Sequence, residues 1–109
     1  MKDPVDANSY PPMSDSRVCA AIDKWQRMKF KYHGNDRRGE PQCYGITKAG
    51  NEAVRFHMVE GGSRPEQLFT LAKMRKIIFL DEHFTAPGPN YQKDDSAFIH
   101  IFCQLQGKF

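Results

Sequence analysis

The chain has 109 residues, a net charge of +3, 39% hydrophobic residues, and eight Phe, four Tyr and one Trp. That length means one domain with a single modest core, and aromatic rings must supply much of it. No apolar run approaches the length of a membrane span, and the start, MKDPVDANSYPPM, has no apolar signal region, so no membrane partner is expected.

Residues 1–13 carry Pro4, Pro11 and Pro12 without a periodic apolar pattern. They are expected to form an extended arm that reaches the body through Tyr10 and Met13, with residues 14–109 as one α+β domain. A helix should start at Ser14 or Ser16, either of which can cap it, with Val18, Ala21, Ile22 and Trp25 as its apolar face. Its end is open to two readings. The preferred one stops near Met28, after which residues 29–32 alternate as a strand with Phe30 and Tyr32 on one side. The other runs to Tyr32, with Gly34 as the stop, and places Arg17, Lys24, Arg27 and Lys31 in one arc of roughly 80°.

Residues 35–41 read as a loop on composition, residues 42–47 as a strand, and residues 48–51 as a tight turn. Residues 52–60 alternate, with Val54, Phe56 and Met58 on one side and Arg55 and His57 on the other, which completes a β-hairpin. Within this region YGITKAGNEAVRFH, residues 44–57, resembles the strand-to-helix segment of some winged-helix regulators. Such domains need a three-helix platform upstream, where only one helix fits, and the hairpin assignment is kept. Ser63 and Glu66 form a capping box for a second helix, through about Arg75, that would bury Leu68, Phe69, Leu71, Ala72 and Met74. A strand is expected over residues 77–84, then a long connection. Residues 97–105 are apolar on both faces, as in a central strand covered on both sides. The sum is a mostly antiparallel sheet of four to five strands packed by two helices.

Cys19, Cys43 and Cys103 are odd in number and far apart. That pattern points to reduced thiols in a cytoplasmic setting rather than a disulfide framework, and no CxxC suggests a zinc knuckle.

Chemistry concentrates in KWQRMKFKYHGNDRR, residues 24–38, where six Lys and Arg stand against Asp36. The rest of the chain is then slightly acidic. Cations on one face neutralise phosphates, and rings between them can stack bases. Trp25, on the apolar face, is expected in the core instead. The candidate contact residues are Arg17, Lys24, Arg27, Lys31, Arg37 and Arg38, with Tyr91 in the long loop. They describe a non-enzymatic binding module for nucleic acid or for a nucleic-acid-handling protein complex. One alternative is an inhibitor of the phage or plasmid type that occludes a protein partner. Another is a small metal-independent ribonuclease with His57 and His83 as acid and base beside nearby cations. His100, between Phe98 and Phe102, reads as a buried ring. Asp81, Glu82 and His83 with His57 and Glu60 can be drawn as a metal site, but no HExxH-like spacing supports it, and neither metal nor cofactor is expected. Gly61-Gly62-Ser63 lacks the phosphate-loop patterns and reads as a turn and a helix cap.

Overall fold

The computed structural model describes residues 10–106. Their elements are a helix α1 (Ser16–Asp23) and strands β1 (Gln26–Tyr32), β2 (Asn35–Thr47), β3 (Glu52–Glu60), β4 (Glu66–Thr70), β5 (Arg75–His83) and β6 (Phe98–Gln104). The result is an α+β domain with one helix and an antiparallel six-stranded sheet, ordered β4-β3-β2-β1-β5, with β6 beside β2. The end strands β4 and β5 are joined by a single 3-10 turn, Leu71–Lys73. A connection that short forces the sheet to curl.

α1 is shorter than expected, and its cap is Asp15, whose carboxylate accepts from the Arg17 backbone N–H at 3.0 Å. Val18, Ala21 and Ile22 are buried as the helical spacing requires. The helix does not reach Met28, because Trp25 takes a left-handed conformation at φ 57°. Few non-glycine residues do so. Here tertiary contacts hold it: its carbonyl accepts from the Phe84 N–H at 2.9 Å, and its ring packs on Phe84. The chain turns at once into β1, and the alternation of residues 29–32 is that of a strand.

Gly34 is not a helix stop. His33 and Gly34, both at positive φ, form the two-residue turn between β1 and β2, where Tyr32 pairs with Asn35. The stretch 35–41 is therefore strand, not loop. β2 is thirteen residues long. Its first part pairs with β1 and its last part with β6, while β3 runs along its other edge. The β2–β3 register slips twice, at Arg38/Gly39, where Val59 of β3 is the extra residue, and at Pro41/Cys43, where Gln42 of β2 is. The 48–51 turn and the β2–β3 hairpin form as the alternation predicts, with Val54 and Phe56 buried.

The second helix does not form. Residues 66–70 pair with β3, Phe69 opposite Val54 and Leu68 opposite Arg55. Ser63 N–H donates to the Gln67 side chain at 2.8 Å and Met58 N–H to the Pro65 carbonyl at 2.7 Å. A short isolated helix is marginal, whereas a strand here completes the open edge of β3.

Inside the curl, the rings of Phe30, Phe56 and Phe69 lie 5.0 to 5.8 Å apart, and α1 adds its apolar face to the same core. β6 is not a central strand. Among the described residues it pairs only with β2, and Ile99 is 51% exposed. Cys19 on α1 and Cys103 on β6 form a disulfide with Cα atoms 5.7 Å apart, which corrects the expectation of three reduced thiols. It also removes the support for a cytoplasmic setting. Cys43 is the buried free thiol. Tyr10 stacks on His100 at 4.4 Å and Met13 packs against the main core. The rest of the proposed arm, residues 1–9, lies outside the described residues. No helix among the described residues is long and apolar enough to cross a membrane.

Candidate functional site

β1 and β2 alternate, so the basic stretch is divided between two faces of the sheet. Met28 and Phe30 point into the core, while Arg27, Lys29 and Lys31 lie on the outer face. The register sets Lys29 beside Arg38 and Lys31 beside Asp36. On the next strand Arg38 meets Glu60, and Glu40 meets His57.

The outer face is a salt-bridged network. Arg27 Nε donates to Glu40 at 2.8 Å, and its guanidinium lies 3.7 Å from Glu82. Arg38 donates to both Glu82 and Glu60. The hydrogen bond from Arg38 holds the Glu82 carboxyl below the usual carboxylate range. Two guanidiniums thus share three carboxylates, so Arg27 and Arg38 present no surplus positive charge. Glu40 is only 7% exposed, which makes its pairing with Arg27 obligatory: an unpaired buried carboxylate is costly.

The other candidate residues scatter. Arg17 is held by its neighbour Asp15 in a two-bond pair at 2.9 and 2.7 Å, with its guanidinium over the Phe79 ring. Lys24 is the exposed C-cap of α1. Lys31 pairs with Asp36 at 2.9 Å. Arg37 lies on the opposite side of β2 from Arg38. Its guanidinium covers Phe69 and Tyr32 and donates to the carbonyls of Gly61 and Tyr32. Tyr91 is half-buried in the long connection, and its hydroxyl donates to the Leu105 carbonyl at 3.1 Å. Burial pushes that hydroxyl up to about 12. The helical arc of Arg17, Lys24, Arg27 and Lys31 does not exist, because the helix ends before Arg27.

Between the Arg38 network and Gly61 lies a cleft of about 360 Å³, also lined by Lys29, Asp36 and Leu80. Gly61 is required there: its φ is 77°, and an added Cβ would stand 2.1 Å from the Asp36 carbonyl. The rings expected between the cations are unavailable for stacking. Phe30 is buried and Tyr32 packs edge-on to Phe69, while Trp25, expected in the core, packs against it beside Phe84.

The histidines do not converge. His57 is on β3 and His83 on β5, with β2 and β1 between them, about 14 Å across the sheet. The His57 ring lies under Gly88, where an added Cβ would come within 2.8 Å of it. His100 is half-buried between Tyr10 and Phe102. No group of three or more His, Cys, Asp or Glu among the described residues is placed to hold a metal ion.

Glu40, Glu60 and Glu82 are the residues that change the site, and chain order hides two of them. Glu40 is visible only once residues 35–47 are seen as one strand, where it shares a face with Arg38. Glu60 and Glu82 arrive from β3 and β5 through register alone. Comparison with known proteins returns no match: no family model fits the chain, and no curated protein and no solved structure is significantly similar to it.

Proposed function

We propose that this chain is a non-enzymatic binding module that acts by occupying a protein partner, with the outer face of β5, β1, β2 and β3 as its contact surface. The observation that carries this reading is the pairing of Arg27 and Arg38 with Glu40, Glu60 and Glu82. Cations already held by carboxylates must give up those partners to take phosphates. A fixed pattern of both charges suits a complementary protein surface, where it sets register and excludes wrong partners. Ile78 and Val59, at 51% and 44% exposure, add apolar contact area. A partner that itself handles nucleic acid, occluded by this module, falls within the same reading.

A nuclease-treated pull-down with the purified chain as bait is the test. A stoichiometric protein complex that Arg38→Glu weakens supports the proposal. Direct nucleic-acid contact is the second reading, favoured by Lys24 and Lys29, which have no carboxylate within ion-pair distance among the described residues. It predicts tight binding of labelled DNA or RNA with a steep loss of affinity as salt rises. That result, with no protein captured, would replace the first reading. The ribonuclease alternative has no converging histidines to support it.

A further inference from the structure

Lys76 stands outside the salt-bridged network, yet the backbone is bent to present it. Its φ is 51°, a left-handed conformation that is unfavourable for a lysine. The β1–β5 register slips at the same place: Arg75 pairs with Lys31 and Ile78 with Lys29, so Lys76 and Ile77 stand where β1 has only Phe30. Bulges of this kind re-aim a side chain. Here the effect is to bring Lys76 beside Lys29 and Lys31, and the three line one cleft of about 270 Å³ with Asp36 and Ile78. Asp36 feels all of them. Its hydrogen bond and ion pair with Lys31, then the charges of Lys29 and Lys76, hold its carboxyl below the ordinary range. Three ammonium groups thus share one carboxylate, and the wall beside them is a half-exposed isoleucine.

We propose that this cleft docks an acidic segment of the partner protein, one that brings further carboxylates to Lys29, Lys31 and Lys76 and an apolar side chain to cover Ile78. The proposal rests on the protein-partner reading above. The chemistry favours a protein segment over a nucleic acid for two reasons. No exposed aromatic ring stands among the lysines to stack a base, since Phe30 and Tyr32 are both engaged in the core. The apolar wall at Ile78 has a natural counterpart in a protein side chain and none in a phosphate backbone.

The test is a titration of the isotopically labelled full chain with an extended peptide of alternating Glu and Val, and separately with a short oligothymidylate, at physiological salt. The peptide is expected to shift amide signals at Lys29, Lys31, Lys76 and Ile78 and to bind more tightly than the oligothymidylate. The triple variant Lys29→Glu, Lys31→Glu, Lys76→Glu alters only exposed or half-exposed side chains, and its free spectrum reports its fold. It should bind the peptide about tenfold or more weakly. Equal binding of the oligothymidylate, undiminished binding by a folded triple variant, or an absence of shifts in the cleft would overturn the proposal. A pulled-down partner that tolerates the triple variant but is lost with Arg38→Glu would overturn the cleft alone. Failure of both pull-downs would remove the wider reading with it.

Discussion

Arg27 and Arg38 look alike in the sequence and are expected to behave differently on substitution. Arg27 neutralises Glu40, which is buried, whereas Arg38 bridges two carboxylates that keep access to water. Arg27→Ala should therefore destabilise the fold by about 3 kcal/mol, because it strands a buried charge. The double change Arg27→Met, Glu40→Met should restore most of that loss, and denaturant unfolding of the single and double variants checks it. Arg38→Ala is expected to leave the midpoint nearly unchanged, as exposed pairs contribute little. Gly61 makes a second contrast at this scale. Gly61→Ala should cost more than Gly50→Ala, although both glycines have positive φ, since only Gly61 faces a backbone carbonyl where its Cβ would go. Equal midpoints for the two alanine variants would refute the close approach.

At the scale of elements, two stretches with cap-like sequences part company. Asp15 caps a real helix, and Asp15→Ala should cost about 1 kcal/mol. Ser63 begins no helix, so Ser63→Ala should fall within roughly 0.5 kcal/mol of the parent, the range of an ordinary surface change. Thermal unfolding of both variants tests the strand assignment of residues 66–70, and a loss at Ser63 equal to that at Asp15 would speak for the helix. The β2–β3 hairpin was legible because Val54 and Phe56 alternate strictly with Arg55 and His57 and a Gly-containing turn precedes them. The end of α1 was not, because its stop is a left-handed Trp25 rather than a glycine. That conformation is held by Phe84, far away in the chain, and no local pattern announces it.

For the whole molecule, two couplings set the stability. The Cys19–Cys103 disulfide closes a loop of 84 residues between α1 and β6. Its replacement by Cys19→Ser, Cys103→Ser should remove about 4 kcal/mol and lower the melting temperature by roughly 20 °C. Acid acts on the carboxylates that tie segments together. Burial alone would raise Glu52, but hydrogen bonds from Ser14 and Tyr44 outweigh it and hold its carboxyl below 4.5. Asp95 is likewise held below 3.8 despite its burial, by Arg55 and the Ala97 N–H. Groups lowered in the folded state contribute fully above their unfolded values and lose that contribution as pH falls through the folded ones. The melting temperature should thus be flat above about pH 5 and drop in more acidic solution. Glu52→Gln should flatten the drop. A melting temperature that stays level to low pH would show that these carboxylates are not linked to folding.

What the sequence determined by itself is local in origin. The period of 3.6 in Val18, Ala21 and Ile22 made a helix, and the period of 2 in residues 52–60 made a strand, because burying one face is a property of spacing alone. A single small domain with an aromatic core followed from length and composition, and its α+β class from the elements read along the chain. Tertiary structure decided the rest. Register brought Glu60 and Glu82 to Arg38, so two arginines of a stretch that is basic in sequence become part of a salt-bridged network in space. The open edge of β3 made residues 66–70 a strand against their cap signal. The meeting of α1 with β6 joined two cysteines whose spacing carried no sign of pairing. Each outcome depends on groups distant in the chain becoming neighbours, and composition and periodicity record only what lies nearby.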